Sequence, residues 1–231
     1  MSQDASPQFD YEIHITVKTS DVEKFKMICS NIGVKAIVVE LSEDGQHSDV
    51  MTSSTIKDDE KMLNVHSEIE RICNAFTDNS LSPIRSKVET VPWHPQAPSS
   101  ANKLLFKAGQ HFECHFAFRV NSLRELEMLT VFAKRKGLHI SRNIFKKNED
   151  GSSTWMLTLR AYMSRYEIFK DNVDSIVNSA KMYKFVLDKE PRIEFAIFDS
   201  NINHDDGWLK NKGNAASFNV MKFLRVKKFT S

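Results

Sequence analysis

Glycine is scarce in this chain, seven residues in 231, and no cluster of them has the spacing that wraps a phosphate chain. That excludes P-loop and dinucleotide-binding turns, which need glycine at several fixed positions. A Gly-x-Ser-x-Gly nucleophile elbow is absent as well. Cysteine is rarer still: Cys29, Cys73 and Cys114 lie in apolar patterns without Cys-x-x-Cys spacing, which excludes a disulfide framework and reads as buried, reduced thiols in a cytoplasmic setting. No apolar run approaches the roughly 20 residues of a membrane helix, and the first ten residues are polar and acidic rather than basic and then apolar, so no membrane association is expected. Neither sign of charge dominates. The 32 Lys and Arg against 30 Asp and Glu leave a formal charge of +2, so any basic site must be local. RNA binding on a sheet surface lacks the paired exposed aromatics such modules use and is only weakly supported.

What the chain does have is alternation. Tyr11, Ile13, Ile15 and Val17 take one face of a strand and Glu12, His14 and Thr16 the other. A helix capped by Ser20 or Asp21 follows, with Val22, Phe25, Ile28, Cys29 and Ile32 at helical spacing and Gly33 placed to end it. Residues 34–41 and 50–56 read as strands of a hairpin, Asp58 and Asp59 suit a helix N-terminus, and 83–91 closes the set as a strand. After Pro92-Trp93-His94-Pro95 the order recurs: a strand from Phe112, a helix over 122–136 stopped by Gly137, strands over 138–145 and 154–162, a helix over 166–183 and a strand over 192–198.

His115 follows His14 by 101 positions, Gly137 follows Gly33 by 104 and Glu194 follows Glu89 by 105. The expected fold is therefore α+β: tandem duplicated ferredoxin-like βαββαβ repeats forming one pseudo-symmetric unit with a polar cleft. The boundaries are an arm at 1–10, a first repeat at 11–91, a Pro-rich linker at 92–111, a second repeat at 112–199 and a tail at 200–231.

In such a sheet both helices cover one face, and the other face carries the chemistry. There the alternation puts Glu12, His14, Thr16, Arg85, Lys87 and Glu89 in the first half, and Glu113, His115, Thr158, Arg160, Arg192 and Glu194 in the second. His14 and His115, with Glu89 and Glu194 to fix their tautomers, are the candidate catalytic residues, because imidazole titrates near neutral pH. Thr16, Arg85, Lys87, His139, Ser141, Arg160 and Arg192 are candidate binding residues, the cations suiting an anionic small molecule or nucleotide. If instead the faces are solvated, the same residues are ordinary polar-out alternation, and the protein is a non-catalytic binding or assembly module. His94 sits in the crossover, either at the mouth of the cleft or packed in the linker. Asp199, Asn201, His204, Asp205 and Asp206 offer hard donors and one imidazole but match no metal-loop spacing, so no metal ligand is assigned and no cofactor is identified. Trp93, Trp155 and Trp208 read as packing anchors.

The duplicated halves with His14-Ile15-Thr16 resemble the two-histidine phosphoesterases, whose paired His-x-Thr/Ser motifs face each other as acid and base on phosphodiesters. The second strand departs from that motif, with Ala117 in place of the hydroxyl residue. The strand Glu12-Ile13-His14-Ile15-Thr16 also resembles the Glu-x-Glu-x-Lys strand of the triphosphate tunnel enzymes, with His14 and Thr16 at the second Glu and the Lys. The stretches 91–95, 139–143 and 194–199 resemble an uncharacterised family of duplicated ferredoxin-like repeats, which implies architecture alone. Together these imply a hydrolase or phosphoryl- or nucleotidyl-transfer enzyme.

Overall fold

The computed structural model describes residues 7–40, 48–102, 104–143, 148 and 150–205; Asp206, Trp208 and nearly all of the expected tail lie outside them. Among the described residues, four helices pack around one large antiparallel sheet. The first half runs β1 (Phe9–Lys18), α1 (Val22–Asn31), β2 (Lys35–Glu40), β3 (Ser48–Asp58), α2 (Leu63–Asp78) and β4 (Ser82–Thr90). The second runs β5 (His111–Val120), α3 (Leu123–Lys136), β6 (His139–Asn143), β7 (Ser153–Tyr162), α4 (Tyr166–Met182), β8 (Val186–Leu187) and β9 (Arg192–Asp199), followed by one 3-10 turn, Ile202–Asp205. Among the described residues no helix is long and apolar enough to cross a membrane.

Local signals account for the helix ends. The Asp21 carboxylate accepts from Lys24 N at 2.9 Å and the Ser122 hydroxyl from Glu125 N at 3.2 Å, satisfying N–H groups that the first helical turn leaves open. Asp58 lies before α2 rather than in it, yet its carboxylate accepts from Asn64 N at 2.7 Å and Val65 N at 3.1 Å, so it caps from the end of β3. Gly137, at φ 66°, takes the left-handed conformation that stops α3.

Strand order is β2-β3-β1-β4 in the first half and β6-β7-β5-β9 in the second, the ferredoxin-like order in each. The halves join at both edges. β2 pairs with β6 through Val39 and Asn143, and β4 pairs with β9 from Lys87 to Thr90. Eight strands therefore close into a ring, with β8 extending the β5 ladder at Phe118 and Arg119. Closure removes the open edges that would otherwise template aggregation.

Alternation then decides which residues face out. Tyr11, Ile13, Ile15 and Val17 join Phe25, Ile28, Val65, Ile72 and Phe76 in the core outside the ring, and Phe112, Cys114, Phe116 and Phe118 join Leu129, Phe132, Phe169 and Val173. The opposite residues line the interior. The polar faces of the two halves thus meet inside the closed ring, its lumen, instead of being left to solvent. Cys29 and Cys114 are buried, and burial pushes both thiols up to about 12.

His94 belongs to the outer layer. It is buried in the crossover, where Nδ1 accepts from Gln96 N at 3.1 Å, so the proton of the neutral ring is on Nε2 and is donated to the Tyr11 hydroxyl at 2.9 Å. Tyr11 in turn donates to Asp59 O at 3.1 Å. The chain of bonds pins the linker to β1, whereas Trp93 beside it is exposed. Burial lowers His94 from 6.5 to about 4. A depressed histidine adds stability that is complete above pH 6.5 and is lost as pH falls toward 4, here about 3 kcal/mol. Unfolding free energies from urea titrations of the wild type and His94→Gln, compared at pH 7.5 and pH 4, are expected to converge by about that amount; a gap that stays constant contradicts this reading.

Candidate functional site

Two rungs of the second half set the site. In one, Arg160, Glu113 and Glu194 lie side by side on β7, β5 and β9; in the next, His139, Thr158, His115 and Arg192 run across β6, β7, β5 and β9. In the first half Lys87 stands opposite His14, and Glu89 opposite Glu12. Glu89 also pairs with Ala196 of β9, which pairs with His111 of β5, so the β4–β9 seam brings the two halves' charges together.

Glu113 is the hub. Arg160 donates to its Oε2 from Nε at 2.8 Å, with Nη2 also 2.8 Å away. His111 Nε2 stands 3.3 Å from the same oxygen, while Oε1 meets His115 Nε2 at 3.2 Å and Lys87 Nζ at 3.6 Å. Lys87 Nζ lies 2.8 Å from Glu89 Oε1, a charge contact off the hydrogen-bonding direction. The other Glu89 oxygen is 3.0 Å from His14 Nε2. One chain of opposite charges therefore runs His14–Glu89–Lys87–Glu113–His115 through the lumen.

Burial alone would push the Glu113 carboxyl up, but Arg160, Lys87, His111 and His115 hold it well below the usual range. Glu89 is likewise lowered despite its burial, chiefly by Lys87 and His14. For His14 and His115 burial pulls down, and the neighbouring Glu89 and Glu113 outweigh it, so both are raised above 6.5. Glu194 moves the other way. Burial and the Glu89 charge raise it to about 7, against smaller opposing effects of His115 and Arg192. Two histidines raised above their usual range and a glutamate raised to about 7 thus face one lumen, the kind of shifted cluster found at acid–base sites.

The sequence expectation pairs His14 with Glu89 and His115 with Glu194. The first pairing is present. In the second Glu113 replaces Glu194, because the β9 register puts Arg192 opposite His115 and Glu194 opposite Glu113. Arg192 is exposed, its Nε 3.1 Å from Glu194 Oε1. Arg85 grips Asp199 with a fork of 2.9 and 2.6 Å beside Thr16, holding β4 to β9. Asp199 is therefore an ion-pair partner, and His204 is engaged by Asp49 at 2.9 Å. Ser141 is buried opposite Met156. His111 has no counterpart among the sequence candidates; its position on the Glu113 face of the strand was the available signal.

Glu89, Glu113 and His115 present ligand atoms within 4.8 Å of one another, a spacing that a divalent ion can use. The Lys87 ammonium between the two carboxylates and the Arg160 guanidinium on Glu113 already supply the positive charge there.

No family model matches the chain, and no curated protein does. Solved structures that align over most of it include an unknown protein from Galdieria sulphuraria (10% identity, 82% of this chain and 98% of that one, TM-score 0.25). Others are the acetolactate synthase small subunit from Thermotoga maritima (12%, 81% and 92%, TM-score 0.24) and a chlorite dismutase from Candidatus Nitrospira defluvii (9%, 87% and 94%, TM-score 0.27). Scores this low carry no argument about activity.

Proposed function

We propose that the lumen performs acid–base chemistry on a small anionic ligand, a phosphate ester or nucleotide that is hydrolysed or transferred, and that the barrel arose by internal duplication of a ferredoxin-like unit. The observation that carries the reading is the pair of histidines, on equivalent strands, each against its own buried glutamate and joined through Lys87.

Their surroundings assign different roles. His14 Nδ1 faces the Thr52 carbonyl at 2.9 Å and Nε2 faces the Glu89 carboxylate. Acceptors on both sides favour the imidazolium, so His14 is the acid. His115 Nδ1 faces a hydroxyl, Thr158 Oγ1 at 3.0 Å, which can donate, so a neutral ring with its proton on Nε2 is satisfied and can act as base. The hydroxyl that the two-histidine motif lacks at Ala117 stands instead on the neighbouring strand. Exposed Arg192, in the same rung, supplies positive charge for the anion.

The test is a panel of phosphodiesters, phosphomonoesters and nucleotides, with His14→Ala and His115→Ala each expected to cost about 10²–10⁴-fold in kcat. Absence of turnover across the panel, or full rates in both variants, defeats the reading. The second reading, a non-catalytic binding or assembly module, is favoured by the engagement of Lys87, Arg160 and Arg85 with Glu89, Glu113 and Asp199, as in a self-neutralised polar interior. Unaltered binding of an anion by both histidine variants, without turnover in the wild type, supports it.

A further inference from the structure

The most chemically specific contact in the lumen is one that neither half of the sequence motif requires. Thr158 Oγ1 lies 3.0 Å from His115 Nδ1, and His115 Nε2 lies 3.2 Å from Glu113 Oε1. A hydroxyl, an imidazole and a carboxylate in this order are the arrangement that activates an alcohol nucleophile: the base takes the hydroxyl proton, and the third group fixes the base's tautomer. With the carboxylate against Nε2, the Nδ1 lone pair faces Thr158 and draws the hydroxyl proton toward the ring.

The first half shows that this is not a by-product of the fold. There the His14 Nδ1 faces a backbone carbonyl, and the hydroxyl that the β1–β3 register puts opposite His14, Ser53 Oγ, donates to Glu12 Oε1 at 2.8 Å instead. Access also differs. The His115 side chain is 31% exposed and the His14 side chain 12%, while Glu113 is 3% exposed. The second-half histidine is therefore the more accessible of the two, with its carboxylate buried behind it and Thr158, 6% exposed, at its side. Arg192 lies next to His115 on the side away from Thr158, where a guanidinium can meet negative charge on a reacting phosphoryl or acyl oxygen.

We propose that Thr158 is a covalent nucleophile, with His115 as its base and Glu113 as the positioning residue, for phosphoryl or acyl groups entering beside Arg192. The proposal deepens the acid–base reading of the same lumen and rests on it only for the substrate class. In the step, the Oγ1–H bond breaks and its proton passes to His115 Nδ1. Oγ1 forms a bond to phosphorus or carbonyl carbon, and the leaving group departs with the bonding electrons. The proton is then released from the imidazolium to the leaving group or to water. No oxidant, reductant or metal is consumed.

The experiment uses diisopropyl fluorophosphate on the full chain. A bond from Oγ1 to phosphorus replaces the P–F bond, and fluoride and the proton leave. Peptide mass spectrometry is expected to place the diisopropylphosphoryl group on Thr158, with labelling faster as pH rises and His115 loses its proton. Thr158→Ser should retain the label. Thr158→Val should lose it, and His115→Ala should slow it at least 100-fold, each variant being checked for an unchanged circular dichroism spectrum. A label on another residue, Thr158→Val labelled at the wild-type rate, or an unlabelled wild type overturns the proposal. Labelling of Thr158 without turnover of any phosphoester keeps the nucleophile and discards the phosphoester reading; turnover in Thr158→Val at the wild-type rate does the reverse.

Discussion

Replacing Glu113 with Ala is expected to destabilise the protein by about 3–5 kcal/mol, the range for removing one partner of a buried charge pair, and to lower the melting temperature by on the order of 10 °C. The reason is the number of groups that depend on one carboxylate. Arg160, His111, His115 and Lys87 all converge on it. Of the two permanent cations, Arg160 is 5% exposed at the side chain and Lys87 11%, so neither can exchange Glu113 for bulk water without moving the strands. Removing the carboxylate takes the ion-pair partner at 2.8 Å from buried Arg160 and leaves Lys87 with Glu89 alone, which raises the cost above that of a lost hydrogen bond. The double variant Glu113→Leu/Arg160→Leu should recover much of the loss, since an apolar pair of similar volume avoids the stranded charge. A cost below about 1 kcal/mol for Glu113→Ala would show that the carboxylate is not a hub, and the site built on it would fall with it.

The second large effect is at the seam between halves. Asp199→Ala is expected to cost about 3–5 kcal/mol by the same argument, since the forked Arg85–Asp199 pair is 5% and 0% exposed and ties β4 to β9. Hydrogen exchange should accelerate at residues 87–90 and 195–198, the paired stretch of that seam. The exposed Lys170–Asp174 pair on α4 is the control. It lies on a solvated helix surface, so Asp174→Ala should stay within about 0.5 kcal/mol of wild type. Equal effects at the two sites would mean that the seam is not a buried joint.

Much of this arrangement was legible in the chain. Tyr11 to Val17 alternates so regularly that the face carrying His14 could be assigned before any pairing was known, and Gly137 marked the end of α3. Residue spacing also brought His14 and Glu89 to adjacent strands, where they meet. Closure of the ring was not legible, because pairing of Val39 with Asn143, or of Arg85 with Asp199 across 114 positions, depends on which edges meet and leaves no local trace. The register of β9 was hidden for the same reason. A shift of two residues, which keeps every side chain on its face, would put Glu194 instead of Arg192 opposite His115, and nothing local in the sequence sets that register. His94 shows the opposite case: of the two places its sequence context allowed, the cleft mouth or the packed linker, it takes the second, held by Tyr11 and Gln96 on the outer side of the sheet.

The central claim is that His14 and His115 belong to one electrostatic unit linked through Lys87, and histidine ring NMR titrations in wild type and Lys87→Met address it most directly. Lys87 lowers the pKa of both histidines, and each stands against a glutamate that the ammonium also touches. Both rings are therefore predicted to titrate above 6.5 in the wild type and to move further upward together when the ammonium is removed. Movement of one ring with the other unchanged, or of neither, would contradict a shared lumen.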